Sequence, residues 1–278
     1  MTKKKSVPQT RKRKITMAQR ADRHVLYEKA VQDADAECAF VDLAFRHFRK
    51  RVPFTLREDF CGTANVSGEW VKGDPKRRAI GVDLDPAVLQ WARDHTLPKL
   101  TPEQRKRVRL LQDDVLTVKC ARTDLALAMN FSFQVLKTRG LMLRYFRHVR
   151  ESLVRDGIFF IDLFGGSHAF REMRERTQHR GFSYIWDQAH HNPVTGDITC
   201  HIHFAFPDGS RLNKAFTYDW RLWTLPELRD IMIDAGFRDV VVFWQGTDEK
   251  TGDFNGVFAP ATEAEADPAW IAFLAALK

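Results

Sequence analysis

The sequence predicts an α/β fold: a doubly wound, mostly parallel sheet interrupted by a block of antiparallel strands. Three observations predict it. Strand-like and helix-like segments alternate from residue 54 to residue 163. Several of the strand-like segments end in carboxylates or a glycine turn, the edge where open α/β sheets bind ligands. From about residue 166 the pattern changes to strand, turn, strand with no helix between.

The elements follow in order. Residues 24–50 read as one helix, with Phe40, Leu43, Ala44 and Phe48 at helical spacing and Pro53 as its stop. Phe54–Asp59 is a strand. Ala64–Lys72 is a short helix closed by Gly73 and Pro75. Arg78–Asp83 is a strand, and Pro86–His95 a helix with Pro86 in its first turn. Val108–Gln112 and Leu125–Met129 are strands. Thr138–Arg155 is a helix with Leu141, Tyr145, Phe146, Val149 and Leu153 on one side, followed by a strand at Gly157–Leu163.

Phe182–Asp187, Ile198–Phe206 and Arg211–Tyr218 then read as antiparallel strands, joined at the turn signals Asn192–Asp197 and Pro207-Asp208-Gly209. Pro226–Ala235 is a helix closed by Gly236. Asp239–Trp244 and Asn255–Phe258 are late strands, and residues 268–277 read as a small terminal helix.

Charge is distributed unevenly. The 278 residues carry a formal net charge of +8, but residues 1–20 hold eight Lys and Arg and no acid. The remainder balances 36 basic against 36 acidic residues. Composition is that of a folded body, with 44% hydrophobic and 12% aromatic residues. No apolar run approaches the roughly 18 residues of a membrane span, and the head lacks the apolar core of a secretory signal. Cys38, Cys61, Cys120 and Cys200 are scattered and form no C-x-x-C, which points to free thiols in a reducing cytoplasm. The expected organisation is therefore a solvated basic tail (1–22), a helical cap (23–52), a core (53–165), an insertion (166–222) and a C-terminal completion of the core (223–278).

The chemistry concentrates at four strand ends. Leu56–Ala64 runs from a strand into a helix through Gly62, which lets a ligand approach the backbone closely, with Glu58 at the strand end. Ile80–Pro86 ends its strand in Asp83, suited to accepting both hydroxyls of a ribose, with Asp85 as a helix cap before Pro86. Val108–Val115 ends in Asp113 and Asp114, placed for an exocyclic amine such as adenine N6. Asp124–Phe133 delivers polar and aromatic side chains at its end.

These four strand ends resemble the class I S-adenosylmethionine-dependent methyltransferases over roughly residues 24–260. The resemblance implies a Rossmann-like doubly wound sheet, mostly parallel with an antiparallel last strand, and an antiparallel β insertion acting as a lid. It implies S-adenosyl-L-methionine as cofactor. Glu58 and the Cys61-Gly62-Thr63-Ala64 backbone would hold the methionine end, Asp83 and Leu84 the ribose side, and Asp113, Asp114 and Val115 the adenine. Asn130 and Phe131 would flank the cofactor, and the N-terminal helix would fold over it through Tyr27, with His24 beside it. Arg57 pairs either with Asp59 or with the cofactor carboxylate. The family loop commonly carries three glycines, and here Phe60 and Ala64 occupy the outer two positions.

Other enzyme classes fit less well. A nicotinamide-dependent oxidoreductase would want G-x-G-x-x-G after the first strand, and Cys61–Val66 does not supply it. Amino-methylating DNA enzymes carry a proline loop after strand four, whereas Asn130–Phe133 has none; no cysteine has the setting of a cytosine-C5 nucleophile. A small-molecule acceptor is expected, in a lid lined by Phe133, Phe164, Tyr184, Trp186, His201, His203 and Trp220. The two histidines lack a third ligand, so no metal is expected. The alternatives are an RNA- or ribosome-directed enzyme that makes weak nucleic-acid contact through residues 1–20, and a non-catalytic cofactor-binding module. The oligomeric state is not encoded in any recognisable pattern.

Overall fold

A computed structural model describes residues 14–248, 250–251 and 254–278. The N-terminal segment forms α1 (Met17–Arg20), α2 (Arg23–Ala30) and α3 (Ala34–Arg49). The core continues with β1 (Thr55–Asp59), α4 (Asn65–Trp70), β2 (Arg78–Asp83), α5 (Pro86–Trp91), α6 (Pro102–Arg105), β3 (Val108–Gln112), β4 (Thr123–Ala128), α7 (Arg139–Ser152) and β5 (Leu153–Gly165). The insertion is β6 (Met173–His179), β7 (Phe182–His191), β8 (Asp197–Ala205) and β9 (Arg211–Arg221). The chain then returns to the core through α8 (Leu225–Asp234), β10 (Asp239–Thr247), β11 (Phe254–Pro260) and β12 (Trp270–Leu277).

The main sheet has the order β11-β10-β12-β5-β4-β1-β2-β3. β1 to β5 are mutually parallel, and β12 runs antiparallel between β5 and β10. β4 is buried along its whole length, as a central strand of a two-faced sheet must be. Leu125, Leu127, Ile158 and Phe160 pack on the α3–α4 side. Ala126, Ala128, Phe159 and Ile161 pack on the side of α7 and α8. The second sheet, β6-β7-β8-β9, is wholly antiparallel.

Four expectations are corrected. Residues 268–277 are a strand, not a helix. Leucine and alanine favour helix, but Ala272, Leu274 and Ala276 join the core on one face while Phe273, Ala275 and Leu277 join it on the other. An eight-residue run apolar on both faces is what a central strand requires, and tertiary pairing overrides propensity. Residues 24–50 form two helices rather than one, because Asp33 accepts from the Ala36 amide at 3.1 Å and starts α3 afresh.

β6 was not expected as a strand: its MRERTQH sequence is charged and exposed, as suits a protected edge strand. The expected tail of residues 1–22 is structured from Met17. The amides of Met17 and Ala18 donate to Asp208 and Ser210 in the β8–β9 turn, at 2.8 and 3.0 Å. The rest of that expectation, residues 1–13, lies outside the described residues, as does most of the segment assigned to nucleic-acid contact.

The N-terminal cap divides its packing. α3 covers one face of the main sheet, with Val41 and Phe45 fully buried. α2 instead joins the insertion: Leu26 clusters with Phe182, Ile202, Phe204 and Ala215, and Arg23 donates to the Ala215 carbonyl at 3.3 Å. A cleft is thus left between the carboxyl ends of β1, β2, β4 and β5 and the body made by α2 with the antiparallel sheet. Among the described residues, no helix is long and apolar enough to cross a membrane.

Candidate active site

The turn after β1 forms one wall of the cleft. Phe60, Gly62 and Ala64 all adopt left-handed backbone, with φ of 55°, 50° and 54°. These are the three positions where the resembled family commonly has glycine, so the loop path survives with two side chains held in a costly conformation. Phe60 recovers part of that cost by packing its ring edge-on against Tyr145, 5.8 Å between centroids. Gly81 explains the closeness of the next strand: a Cβ there would stand 2.9 Å from Cys61 Sγ.

Acids at successive strand ends face this turn. Glu58 is buried and accepts from Ser67, 2.8 Å from its amide and 2.5 Å from its hydroxyl. Burial pushes its carboxyl up to about 7, against the lowering effect of the two Ser67 bonds. Asp83 Oδ2 accepts the Gly62 amide at 2.8 Å and Oδ1 the Asp85 amide at 2.9 Å. A carboxylate has about four acceptor positions, so these amides leave acceptor capacity for a ligand. Burial raises the Asp83 carboxyl too. Asp114 Oδ1 accepts the Leu116 amide at 2.9 Å, and Asp113 accepts the Asp114 amide at 2.8 Å. Leu84, 64% exposed, follows Asp83 as an apolar surface beside these acids.

Two cavities open from the cleft. The smaller, about 180 Å3, is lined by Glu58, Cys61, Gly62 and Thr63 on the core side and by His24 and Tyr27 on the α2 side. The larger, about 520 Å3, is walled by Phe131, Phe164, Tyr184, Trp186, Trp220 and Trp270. Tyr27, Asn130 and Tyr218 line both, so they form the neck between them. The neck is held from below by Asp162. Asn130 and Phe131 both have left-handed backbone, φ 57° and 59°, and their amides donate to Asp162 at 3.1 and 3.0 Å. Burial pushes the Asp162 carboxyl up to about 6.

Several expected residues lie elsewhere. Arg57 pairs with Asp59 at 2.6 and 3.0 Å, both fully buried, and Tyr145 closes the pair at 2.8 Å from Asp59. Its guanidinium therefore turns into the core rather than toward a ligand. Val115 is buried in the same core and its carbonyl accepts from Arg57 at 3.3 Å. Ala64 is fully buried beneath the loop. Phe133 is also fully buried, in the core cluster under α7. His201 and His203 sit on the face of the antiparallel sheet away from the larger cavity: alternation sends Ile202 inward and its neighbours outward. His203 bonds Asp187 at 3.1 Å and His201 bonds Thr217 at 3.0 Å. Among the described residues no group of side chains is arranged to hold a metal ion.

Sequence reasoning missed three residues. Tyr218 entered only as the end of the expected strand Arg211–Tyr218, although it shares the neck with Tyr27. Asp162 sits at the end of β5, and the strand-end logic applied to β1 to β3 extends to it. Trp270 was hidden by the helix assignment.

No family model matches this chain, and no curated protein matches it. Solved structures do share its fold. A S-adenosylmethionine-dependent methyltransferase from Clostridium acetobutylicum superposes with a TM-score of 0.64 at 15% identity, over 90% of this chain and 96% of that one. CalS10, an amino pentose methyltransferase from Micromonospora echinaspora solved with S-adenosylmethionine bound, gives 0.59 at 15% identity, over 90% and 95%. KedS8, a sugar N-methyltransferase from a Streptoalloteichus species, gives 0.59 at 17% identity, over 96% and 98%. The chain has the class I S-adenosylmethionine-dependent methyltransferase fold, with a four-stranded antiparallel insertion.

Proposed function

We propose that this protein is a S-adenosylmethionine-dependent methyltransferase with a small-molecule acceptor. The observation that carries the reading is the pair of cavities joined at Tyr27, Asn130 and Tyr218, one lined by the loop after β1 and the other by aromatic rings. The residues present fit the cofactor. Asp83 keeps acceptor capacity for a ribose hydroxyl beside its backbone bonds, and Asp114 accepts its one backbone bond through Oδ1, leaving Oδ2 for the adenine amine. Thr63 Oγ1 is buried without a partner on the wall of the smaller cavity, beside Glu58, which suits the polar methionine end. When bound, the cofactor supplies a methyl group already activated on a sulfonium.

The protein's own work is positioning and the exclusion of water. Tyr27 and Tyr218, which line both cavities, narrow the passage, and Asp162 fixes Asn130 at its floor. The aromatic walls of the larger cavity, with Glu175 and His168 among them, would orient the acceptor. The likeness to CalS10, an amino pentose methyltransferase, and KedS8, a sugar N-methyltransferase, supports a small acceptor. The four free cysteines support a reducing cytoplasmic setting.

The test is S-adenosylhomocysteine release across a panel of amine and hydroxyl acceptors, with Met173→Trp, at a position that lines the larger cavity, as the control that fills it. Acceptor-dependent release by the wild type, lost in Met173→Trp while cofactor affinity persists, supports the reading. Release insensitive to Met173→Trp would remove the larger cavity as the acceptor site.

A further inference from the structure

The larger cavity has one carboxylate on its walls, that of Glu175, and no Lys or Arg. Glu175 belongs to β6, whose alternation sends Met173 and Glu175 toward the cavity and Arg174 and Arg176 to the opposite face. The two arginines are occupied there: Arg174 donates to Asp187 and Arg176 to the Ser183 hydroxyl, both at 2.9 Å. Glu175 itself makes no hydrogen bond or ion pair with any described residue. Its charge is therefore uncompensated in a cavity walled mainly by aromatic rings.

A second feature stands beside it. Trp186 is the register partner of Glu175 on β7, and it lines the same cavity. Side chains paired in this way have Cβ atoms about 5 Å apart, so the Glu175 carboxylate and the Trp186 ring share one corner. A carboxylate next to an indole ring receives an organic cation, by charge and by cation–π attraction. His168 lies at this end too, because Gln188, the register partner of Met173, donates to its carbonyl at 2.9 Å. The His168 ring makes no bond to Glu175.

This corner is remote from the neck. In the order β6-β7-β8-β9, the neck residue Tyr218 belongs to β9, three strand spacings or about 14 Å from β6. A group held by Glu175 is thus not the group that meets the methyl at the neck, but the other end of the same molecule.

We propose that the Glu175–Trp186 corner is a cation subsite, and that the acceptor is an elongated molecule with an ammonium or guanidinium group roughly 10 Å from the atom that is methylated. This rests on the methyltransferase reading above and names its substrate class. Glu175 determines specificity and leaves the transfer step as it is: it touches the distant end of the acceptor and repels anionic ones.

The test uses three probes with one aromatic body: phenylbutylamine, phenylbutanol and phenylbutyrate. Each is titrated by NMR into the full chain loaded with S-adenosylhomocysteine. The wild type should bind the amine about 10-fold tighter than the alcohol, and the carboxylate weakest. Glu175→Gln should remove the preference for the amine while affinity for the alcohol and for S-adenosylhomocysteine is unchanged. Glu175→Lys should turn the preference toward the carboxylate, and Tyr218→Phe at the neck should leave it intact. No preference in the wild type, a preference that survives Glu175→Gln, or one lost in Tyr218→Phe instead, overturns the assignment. A wild type that does not bind S-adenosylhomocysteine removes the methyltransferase reading and this one with it, a result distinguishable from the others.

Discussion

The backbone amide of Gly62 donates to Oδ2 of Asp83 at 2.8 Å, so the turn after β1 is tied to the carboxyl end of β2 before any ligand arrives. That bond fixes a loop in which every second residue, from Phe60 to Ala64, has left-handed backbone. Its strain is testable. An L-residue in this region costs about 1–2 kcal/mol. Ala64→Gly removes that cost, gives up one buried methyl and adds unfolded-state entropy, so its stability should stay within about 1 kcal/mol of wild type. Phe60→Gly also sheds strain but loses a ring packed on Tyr145, and should be destabilised by roughly 2 kcal/mol. Denaturant midpoints at constant slope measure both. A loss of about 2 kcal/mol or more in Ala64→Gly would show that the loop is not strained.

Asp162 supports the neck through two amides rather than by touching a ligand. In Asp162→Asn the carboxamide keeps one acceptor and turns its N–H group toward the other amide. The expected cost is about 1–3 kcal/mol of stability. Turnover should fall more than affinity for S-adenosylhomocysteine, because Asn130 and Phe131 shape the passage between the cavities. Paired melting curves and calorimetric titrations of this variant separate the two effects.

Asp22 secures α2 over the cleft. Its Oδ1 accepts the His24 and Val25 amides at 2.7 and 3.3 Å, and its Oδ2 the Trp91 indole at 2.7 Å. Asp22→Ala removes a helix cap and a tie to α5, with an expected loss of about 1–2 kcal/mol. Faster dissociation of S-adenosylhomocysteine should accompany it, since Tyr27 and His24 ride on α2. Stopped-flow displacement reads that rate; an unchanged rate would mean that α2 does not cover the cofactor.

The pH dependence follows from two buried carboxyls. Burial raises Glu58 from 4.5 to about 7 and Asp162 from 3.8 to about 6. A group whose folded-state value is raised contributes stability that is present below its unfolded value and lost as pH rises through the folded one. The ligand-free protein should therefore lose stability between about pH 4 and 7, on the order of a kcal/mol per pH unit for each group. Affinity for S-adenosylmethionine should rise over the upper part of that window, as Glu58 ionises and becomes a better acceptor. Melting temperatures with and without S-adenosylhomocysteine across this range test both signs.

Much of the parallel core was legible because each strand carries its own signal. β2 and β3 fall at the residues expected from Arg78–Asp83 and Val108–Gln112, and the acids at their ends follow from the strand assignments. β12 was not legible, since Trp270–Leu277 is apolar on both faces and only its neighbours make it a strand. Local pattern also could not say that Arg57 turns inward to Asp59, because residues two apart on a strand share a face whichever way it points. The neck was the least visible part: Tyr27 and Tyr218 are 191 positions apart, and only the docking of α2 on the antiparallel sheet brings them together.

The central claim is that the ends of β1, β2 and β3 bind S-adenosylmethionine. Calorimetric titration of that cofactor into the wild type and into Asp83→Ala tests it most directly. The account predicts stoichiometric binding by the wild type and a loss of about 10- to 100-fold in Asp83→Ala, where the acceptor for the ribose diol is gone. Equal affinity in the two proteins, or no binding by the wild type, would contradict it.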